Sequence, residues 1–243
     1  MNEPLSLTVL GCDGSYPGPD GACSGYLLVC DGTRVWLDAG SGTLSNLQRH
    51  LPIEDLDAVV ISHHHPDHWS DLEHLAVASK WVIKRPPIPV YAPEDIPSLL
   101  RVGAAADILR WRTVRDGDRV EIGSMTLSFS QTDHVATTLA ARVDGAGRSL
   151  GYSADTGPGW DLTALGSGLN LALCEATYLA DEEGSIPHLS ARQAGLSAKK
   201  AAVERLVITH LWPRVDRAEA QAEAAASFGR DLTVAAVGER YVA

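Results

Sequence analysis

Four candidate metal donors, His63, His65, Asp67 and His68, are crowded into Ser62-His63-His64-His65-Pro66-Asp67-His68. Neither a regular helix nor a regular strand aims side chains at that spacing toward one point, so a loop is expected to turn them inward together. Imidazole and carboxylate suit a borderline divalent metal such as zinc, and manganese accepts them as well. A loop at a strand end also leaves coordination positions open for water and substrate. A lone histidine is more often solvated or simply hydrogen bonded. Here three further donors, His134, Asp155 and His210, follow in comparable strand-end settings, and the set of seven points to metal binding.

The elements that would position these donors are readable from alternation and turn residues. Strands are expected at Leu5 to Leu10, Gly25 to Cys30 and Thr33 to Leu37, the last two joined by the Asp31-Gly32 turn. A helical stretch runs to about His50. The apolar run Leu56 to Ile61 reads as a buried strand that delivers the histidine loop to its carboxyl end. Helical spacing covers Trp69 to Ile83 and is closed by Pro86, Pro87 and Pro89. Short strands are expected at Val90, near Val120, at Met125 to Ser130 and at Leu139 to Val143, the last ending at the Asp144-Gly145 turn. Further strands fall at Ser149 to Ser153, Leu171 to Cys174 and Leu206 to Thr209. Helices fall at Ser190 to Ala202 and Arg217 to Phe228, and the Ala-rich pattern of the latter reads as an amphipathic surface helix without chemistry. The mixture predicts an α/β layered domain over residues 1–243.

Composition narrows the functional classes. A chain of 243 residues with 45% hydrophobic content can bury a sizeable core. It has no apolar run of membrane-spanning length, and Met1-Asn2-Glu3-Pro4 lacks the basic flank and apolar stretch of a signal peptide, so a cytoplasmic protein is expected. Cys12, Cys23, Cys30 and Cys174 form no CxxC pair and are too few for a disulfide scaffold, which fits reduced thiols. The net charge of −11 argues against long nucleic acid as a partner, since such binding is driven by Lys and Arg releasing counterions.

His63, His65, Asp67 and His68 match in full the HxHxDH signature of the metallo-β-lactamase superfamily, which the chain resembles along nearly its whole length. The likeness extends to Asp38-Ala39-Gly40-Ser41-Gly42, Asp133-His134, Ser153-Ala154-Asp155-Thr156-Gly157 and Thr209-His210-Leu211. The resemblance implies a four-layer αββα sandwich. It also implies two divalent metal ions per chain: His63, His65 and His134 hold one, Asp67, His68 and His210 hold the other, and Asp155 bridges them. In such sites the ions lie about 3.5–4 Å apart and share a water acidified enough to supply hydroxide near neutrality.

Cys174-Glu175-Ala176-Thr177-Tyr178, followed by His188-Leu189-Ser190, looks like the ribonuclease Z-like branch of that superfamily. There the matching pair lies beside the metals, so Glu175 would orient His188 and His188 would protonate the leaving oxygen. Asp67, Glu175 and His188 are thus the catalytic candidates, Asp67 also serving as ligand. Ribonuclease Z itself grips transfer RNA with a long protruding arm, often placed between the equivalents of His134 and Asp155. In this chain that interval holds a strand pair and the tight Asp144-Gly145-Ala146-Gly147 turn. Thr137 to Ala141 also lacks the aromatic that often follows the equivalent of His134.

The closer resemblance is to compact, armless phosphodiesterases of cyclic nucleotides and cyclic ribose phosphates, which implies a small phosphodiester substrate and a homodimer. Two divalent cations less Asp67, Asp155 and one hydroxide leave a site charge of about +1, suited to a singly charged phosphodiester. Competing readings are transfer RNA processing, hydrolysis of an ester, thioester or lactam on the same metals, and a non-catalytic metal-binding protein. His64 is expected to point away from the metals, and His50 and His74 to lie at the surface or in packing. Asp38 is read equally as a partner of a metal-binding histidine or as a turn residue, and Trp69 as pocket wall or core.

Overall fold

A computed structural model describes residues 3–102 and 107–243; Met1 and Asn2, where a signal peptide would begin, lie outside them. Alternating apolar residues form the first six strands: β1 (Ser6–Gly11), β2 (Gly25–Cys30), β3 (Thr33–Ala39), β4 (Ala58–Val60), β5 (Ile88–Ala92) and β6 (Leu109–Thr113). A second set follows: β7 (Arg119–Ile122), β8 (Met125–Gln131), β9 (Leu139–Gly145), β10 (Arg148–Tyr152), β11 (Leu171–Glu175), β12 (Arg205–Thr209) and β13 (Thr233–Val234). The short β14 (Arg240–Val242) returns to the first sheet. The sheet orders are β14-β1-β2-β3-β4-β5-β6 and β13-β12-β11-β10-β9-β8-β7.

Each sheet is antiparallel in one half and parallel in the other. The pairs from β3 to β6 and from β10 to β13 are parallel. Parallel neighbours require crossovers. These carry the helices α1 (Thr43–Leu47), α2 (Pro66–Ala78), α3 (Ala191–Lys200) and α4 (Arg217–Phe228).

Burial follows from the period-2 alternation of the strands. Leu7, Tyr26, Leu28, Val35 and Leu37 on one sheet meet Leu127, Phe129, Val143, Leu150, Tyr152 and Leu173 on the other, forming a central layer between the sheets. The opposite faces are covered by helices: Trp36, Val59 and Ile61 pack with Leu72 and Leu75 of α2. Ala172, Leu206 and Ile208 pack with Ala194 and Ala198 of α3 and Ala220, Ala224 and Phe228 of α4. This is the αββα sandwich expected of the metallo-β-lactamase type. The Ala-rich α4 buries Ala220, Ala224 and Phe228 at i, i+4 spacing and keeps its charged side outward, as its pattern indicated.

Two expectations need correction. The histidine motif is not all loop, because α2 begins at Pro66, three residues before the expected start. Proline at a first helical position is preorganised for helix and Asp67 is favoured in the first turn, so the motif is split between a loop (His63 to His65) and a helical turn (Asp67, His68). Strands β6, β13 and β14 were not foreseen. Leu-Arg-Trp-Arg-Thr of β6 is a largely exposed edge strand, and the other two span two and three residues.

Candidate metal centre

The seven candidate donors converge at the carboxyl ends of strands from both sheets. His63 and His65 follow β4, Asp67 and His68 open α2, His134 follows β8, Asp155 follows β10 and His210 follows β12. Strand ends hold loops that need not satisfy a ladder, so side chains there can face a common cleft. The loops bend sharply to do this. Ser15, Asp38, Ala154 and His210 all have positive φ, a conformation costing a non-glycine residue of order 1–3 kcal/mol. They also approach closely: a Cβ on Gly40 would lie 2.0 Å from the Asp67 carbonyl oxygen, and one on Gly14 would lie 2.3 Å from that of His210.

Two donor groups form around Asp155, each with its ligand atoms within 4.8 Å of one another: His63, His65, His134 with Asp155, and Asp67, His68, His210 with Asp155. In the first, His65 Nδ1 lies 3.0 Å from His63 Nε2 and 3.2 Å from His134 Nε2. Asp155 Oδ2 is 3.5 Å from His63 Nε2 and 3.9 Å from His134 Nε2. In the second, His210 Nε2 lies 3.2 Å from Asp67 Oδ2 and 3.3 Å from His68 Nε2. Asp155 Oδ1 is 3.3 Å from His68 Nε2 and 3.4 Å from His210 Nε2. The two carboxylate oxygens thus face different groups. Donors held about 2.0–2.1 Å from a tetrahedral ion stand about 3.3 Å apart, which is the spacing seen. Asp155 Oδ1 is moreover buried without a hydrogen-bond partner, an arrangement that is costly unless an ion takes its lone pair.

The electrostatics agree with this fit. Burial, reinforced by neighbouring imidazoles, holds His63, His65 and His134 below the ordinary histidine range, so they stay neutral and able to ligate. Burial alone would raise the Asp155 and Asp67 carboxyls. The surrounding histidines outweigh it and hold both well below the usual carboxylate range.

A second ring of hydrogen bonds orients the imidazoles. His68 Nδ1 donates to Asp38 Oδ2 at 2.8 Å. Ser62 Oγ also donates to Asp38 Oδ2, at 2.8 Å, and its oxygen is left to accept from His63 Nδ1 at 3.0 Å. The other side repeats the pattern: Thr177 Oγ1 donates to Glu175 Oε2 at 2.7 Å and accepts from His210 Nδ1 at 2.9 Å. His134 Nδ1 donates to the Pro187 carbonyl at 3.2 Å, and Ser15 N donates to Asp67 Oδ2 at 2.8 Å. Asp38, wholly buried, is therefore a hydrogen-bond partner of a candidate donor histidine rather than a plain turn residue.

Glu175 and His188 do come together: His188 Nδ1 donates to Glu175 Oε1 at 3.0 Å. Thr156 N and Leu189 N also donate to Glu175, at 2.6 and 3.1 Å. Glu175, His188 and His210 could in principle form a third donor group, but their facing atoms are taken up by this network. The His188 ring lies 5.0 Å from that of His134 and stacks 5.4 Å from that of His210, beside both donor groups. Burial disfavours its charged form, yet the Glu175 carboxylate outweighs burial and raises its pKa to about 9.

His64 points away, its Nδ1 on Asp95, and His50 and His74 are exposed. Trp69 packs in the helix-side core and donates its indole N–H to the His64 carbonyl at 2.7 Å, bracing the loop. Sequence reading assigned no role to Ser62, Thr177, Tyr152 or Ser15. Thr177 carried one usable signal, since in extended chain it shares a face with Glu175 two residues earlier.

Residues 33–211 match the family described as the beta-lactamase superfamily domain. The chain belongs to the metallo-β-lactamase superfamily. An uncharacterized protein of Mycobacterium leprae is 36% identical over 254 residues, covering 98% of this chain and 88% of the relative. YhfI of Bacillus subtilis, named a probable metallo-hydrolase, is 31% identical over 219 residues, covering 85% and 87%. Its crystal structure superimposes with a TM-score of 0.91 at 28% identity, over 99% of this chain and 100% of that one. A ribonuclease Z of Methanopyrus kandleri is 30% identical over 145 residues, 59% of this chain and 52% of the relative. With two donor clusters in this fold, the protein is a metal-dependent hydrolase whose relatives include the ribonuclease Z-like branch.

Proposed function

We propose that the protein is a phosphodiesterase of small phosphodiesters, such as a cyclic nucleotide, a cyclic ribose phosphate or a short oligonucleotide. The observation that carries this is the Glu175–His188 pair, set beside both donor clusters with Nδ1 committed to the carboxylate. His188 Nε2 makes no hydrogen bond among the described residues, which leaves it for substrate. His63, His65 and His134 would hold one ion and Asp67, His68 and His210 the other, with Asp155 placed between the two groups to serve both. Zinc suits this donor set, with manganese the alternative.

When bound, the two ions supply Lewis acidity toward the phosphoryl oxygens and lower the pKa of a water to near neutrality. The attacking water gives up one proton to solvent, and its oxygen bonds to phosphorus as the ester P–O bond breaks. His188 Nε2–H gives its proton to the departing alkoxide, and Glu175 keeps the ring oriented and favours its charged form before transfer. The remaining residues hold and orient: Asp38 and Ser62 aim His68 and His63, and Thr177 aims His210. One domain over residues 1–243 carries these parts, and the assembly proposed is a homodimer.

Ribonuclease Z activity is the second reading, favoured by the named relative of that activity. The span from His134 to Asp155 is only the β9–β10 hairpin and its tight turn, which supports a small substrate instead. The test is zinc-reconstituted protein assayed against cyclic nucleotides, cyclic ribose phosphates, a dinucleotide, a thioester and a lactam, with bound zinc counted by elemental analysis. Two ions per chain and preferred cleavage of the phosphodiesters are expected. Preferred cleavage of the thioester or lactam would overturn the substrate class, and full activity at one ion would overturn the two-ion site.

A further inference from the structure

The donors come from both sheets: His63, His65, Asp67 and His68 from the first, His134, Asp155 and His210 from the second. Whatever sets one sheet against the other therefore sets the distance between donors. Beneath the centre lie two buried tyrosines in contact, Tyr26 of β2 and Tyr152 of β10, with ring centroids 5.4 Å apart. Each reaches across to the opposite sheet. Tyr152 on the second sheet donates its hydroxyl to Asp38 Oδ2 on the first at 2.6 Å. Tyr26 on the first sheet shares a 2.7 Å hydrogen bond with Thr209 Oγ1 on the second.

We infer that Tyr26 and Tyr152 are positioning residues, a crossed pair of ties that locks the two sheets in the register at which both metal sites close. The two ties end on different supports. Asp38 also takes His68 Nδ1 at 2.8 Å and, through Ser62, His63, so Tyr152 bears on one histidine of each donor group. Thr209 immediately precedes His210, which of the two groups around Asp155 belongs only to the second. The ties are stiff. Aromatic rings have few rotamers, and the hydroxyls are held in a layer where an unpaired polar atom is costly. Burial raises both phenols well above their ordinary pKa, so both remain hydroxyls at any working pH.

The asymmetry gives the test, which rests on the two-ion reading. Zinc affinities of the two sites are measured on the full chain by competition with chelators of graded strength, alongside thermal unfolding, for Tyr152→Phe, Tyr26→Phe and Ser62→Ala. Tyr152→Phe is expected to weaken both ions by about tenfold, the low end for loss of an outer partner. Tyr26→Phe should weaken only the ion held with His210, and Ser62→Ala chiefly the ion held with His63. A Tm change alone, with both zinc affinities within twofold of wild type in the two tyrosine variants, would overturn the inference. If Tyr152→Phe does not fold, Tyr26→Phe carries the decision, and equal weakening of both ions there would overturn it too. Wild-type protein that binds a single zinc would instead overturn the two-ion reading itself.

Discussion

At the scale of single residues, the two candidate donor groups around Asp155 stand apart from His188, the residue proposed as proton donor. His188 suits that role because its Nδ1 is fixed by Glu175 and its Nε2 makes no hydrogen bond among the described residues. Proton donation contributes about 10²–10⁴-fold to rate, but only where the leaving oxygen needs a proton. His188→Ala should therefore cripple cleavage of an alkoxide-leaving phosphodiester and spare most activity on bis-nitrophenyl phosphate, with zinc content unchanged. Equal losses on both substrates would make His188 a phosphate binder or structural residue. A second contrast concerns the two carboxylates at the core of the site. Asp155 faces both donor groups directly, whereas Asp38 acts through His68 and Ser62. Asp155→Ala should abolish loading at both sites, while Asp38→Ala should cost about 10–100-fold in activity per folded, zinc-supplied enzyme. Equal losses would mean that the bridge has been misplaced.

At the scale of elements, each donor sits where a strand stops, and the segment after the strand decides how firmly the donor is held. Helix α3 starts shortly after His188 with a reciprocal cap: Ser190 Oγ accepts from Gln193 N at 3.1 Å and Gln193 Oε1 accepts from Ser190 N at 2.9 Å. Ser190 Oγ also donates to Glu183 Oε1 at 2.6 Å. His188 does not depend on that cap, since the Tyr178 hydroxyl donates to its carbonyl at 2.7 Å and Glu175 fixes its ring. Ser190→Ala is thus expected to lower stability by about 1 kcal/mol, or about 2–4 °C in Tm for a chain of this size, with zinc content and turnover retained. Thermal unfolding with a parallel assay checks this. A loss of turnover without a change in Tm would mean the helix start positions His188 after all.

At the scale of the whole molecule, charge and the short β9–β10 hairpin act together. A net charge of −11 provides little counterion release on a polyanion, and the His134 to Asp155 interval offers no extension to grip one. Precursor transfer RNA is accordingly expected to be cleaved with much lower kcat/KM than cyclic AMP or a dinucleotide at one salt concentration. Equal or better processing of the precursor would overturn the small-substrate reading. No described helix is long and apolar enough to cross a membrane.

Local chemistry was legible in the chain itself. The crowded His63, His65, Asp67 and His68 and the later His134, Asp155 and His210 could be picked out because donor types recur where alternating apolar runs end, whereas the Glu175–His188 pair came from the resemblance to the ribonuclease Z-like branch. The strands were legible for a related reason, since period-2 patterns say which side of a strand is buried, while the pairing of two sheets came from the family resemblance. The patterns do not say which buried side meets which. The contacts that aim the donors span long stretches of chain, as between Asp38 and Tyr152, 114 residues apart, or Tyr26 and Thr209, 183 apart. Such pairs arise from the register of one sheet packed on another, set by the shape of the whole central layer and by no local pattern. The start of α2 is the intermediate case. A dense run of donors suggests a loop, yet Pro66 at the first helical position puts Asp67 and His68 on a turn of helix, and only packing of Leu72 and Leu75 against the sheet makes that turn worth forming.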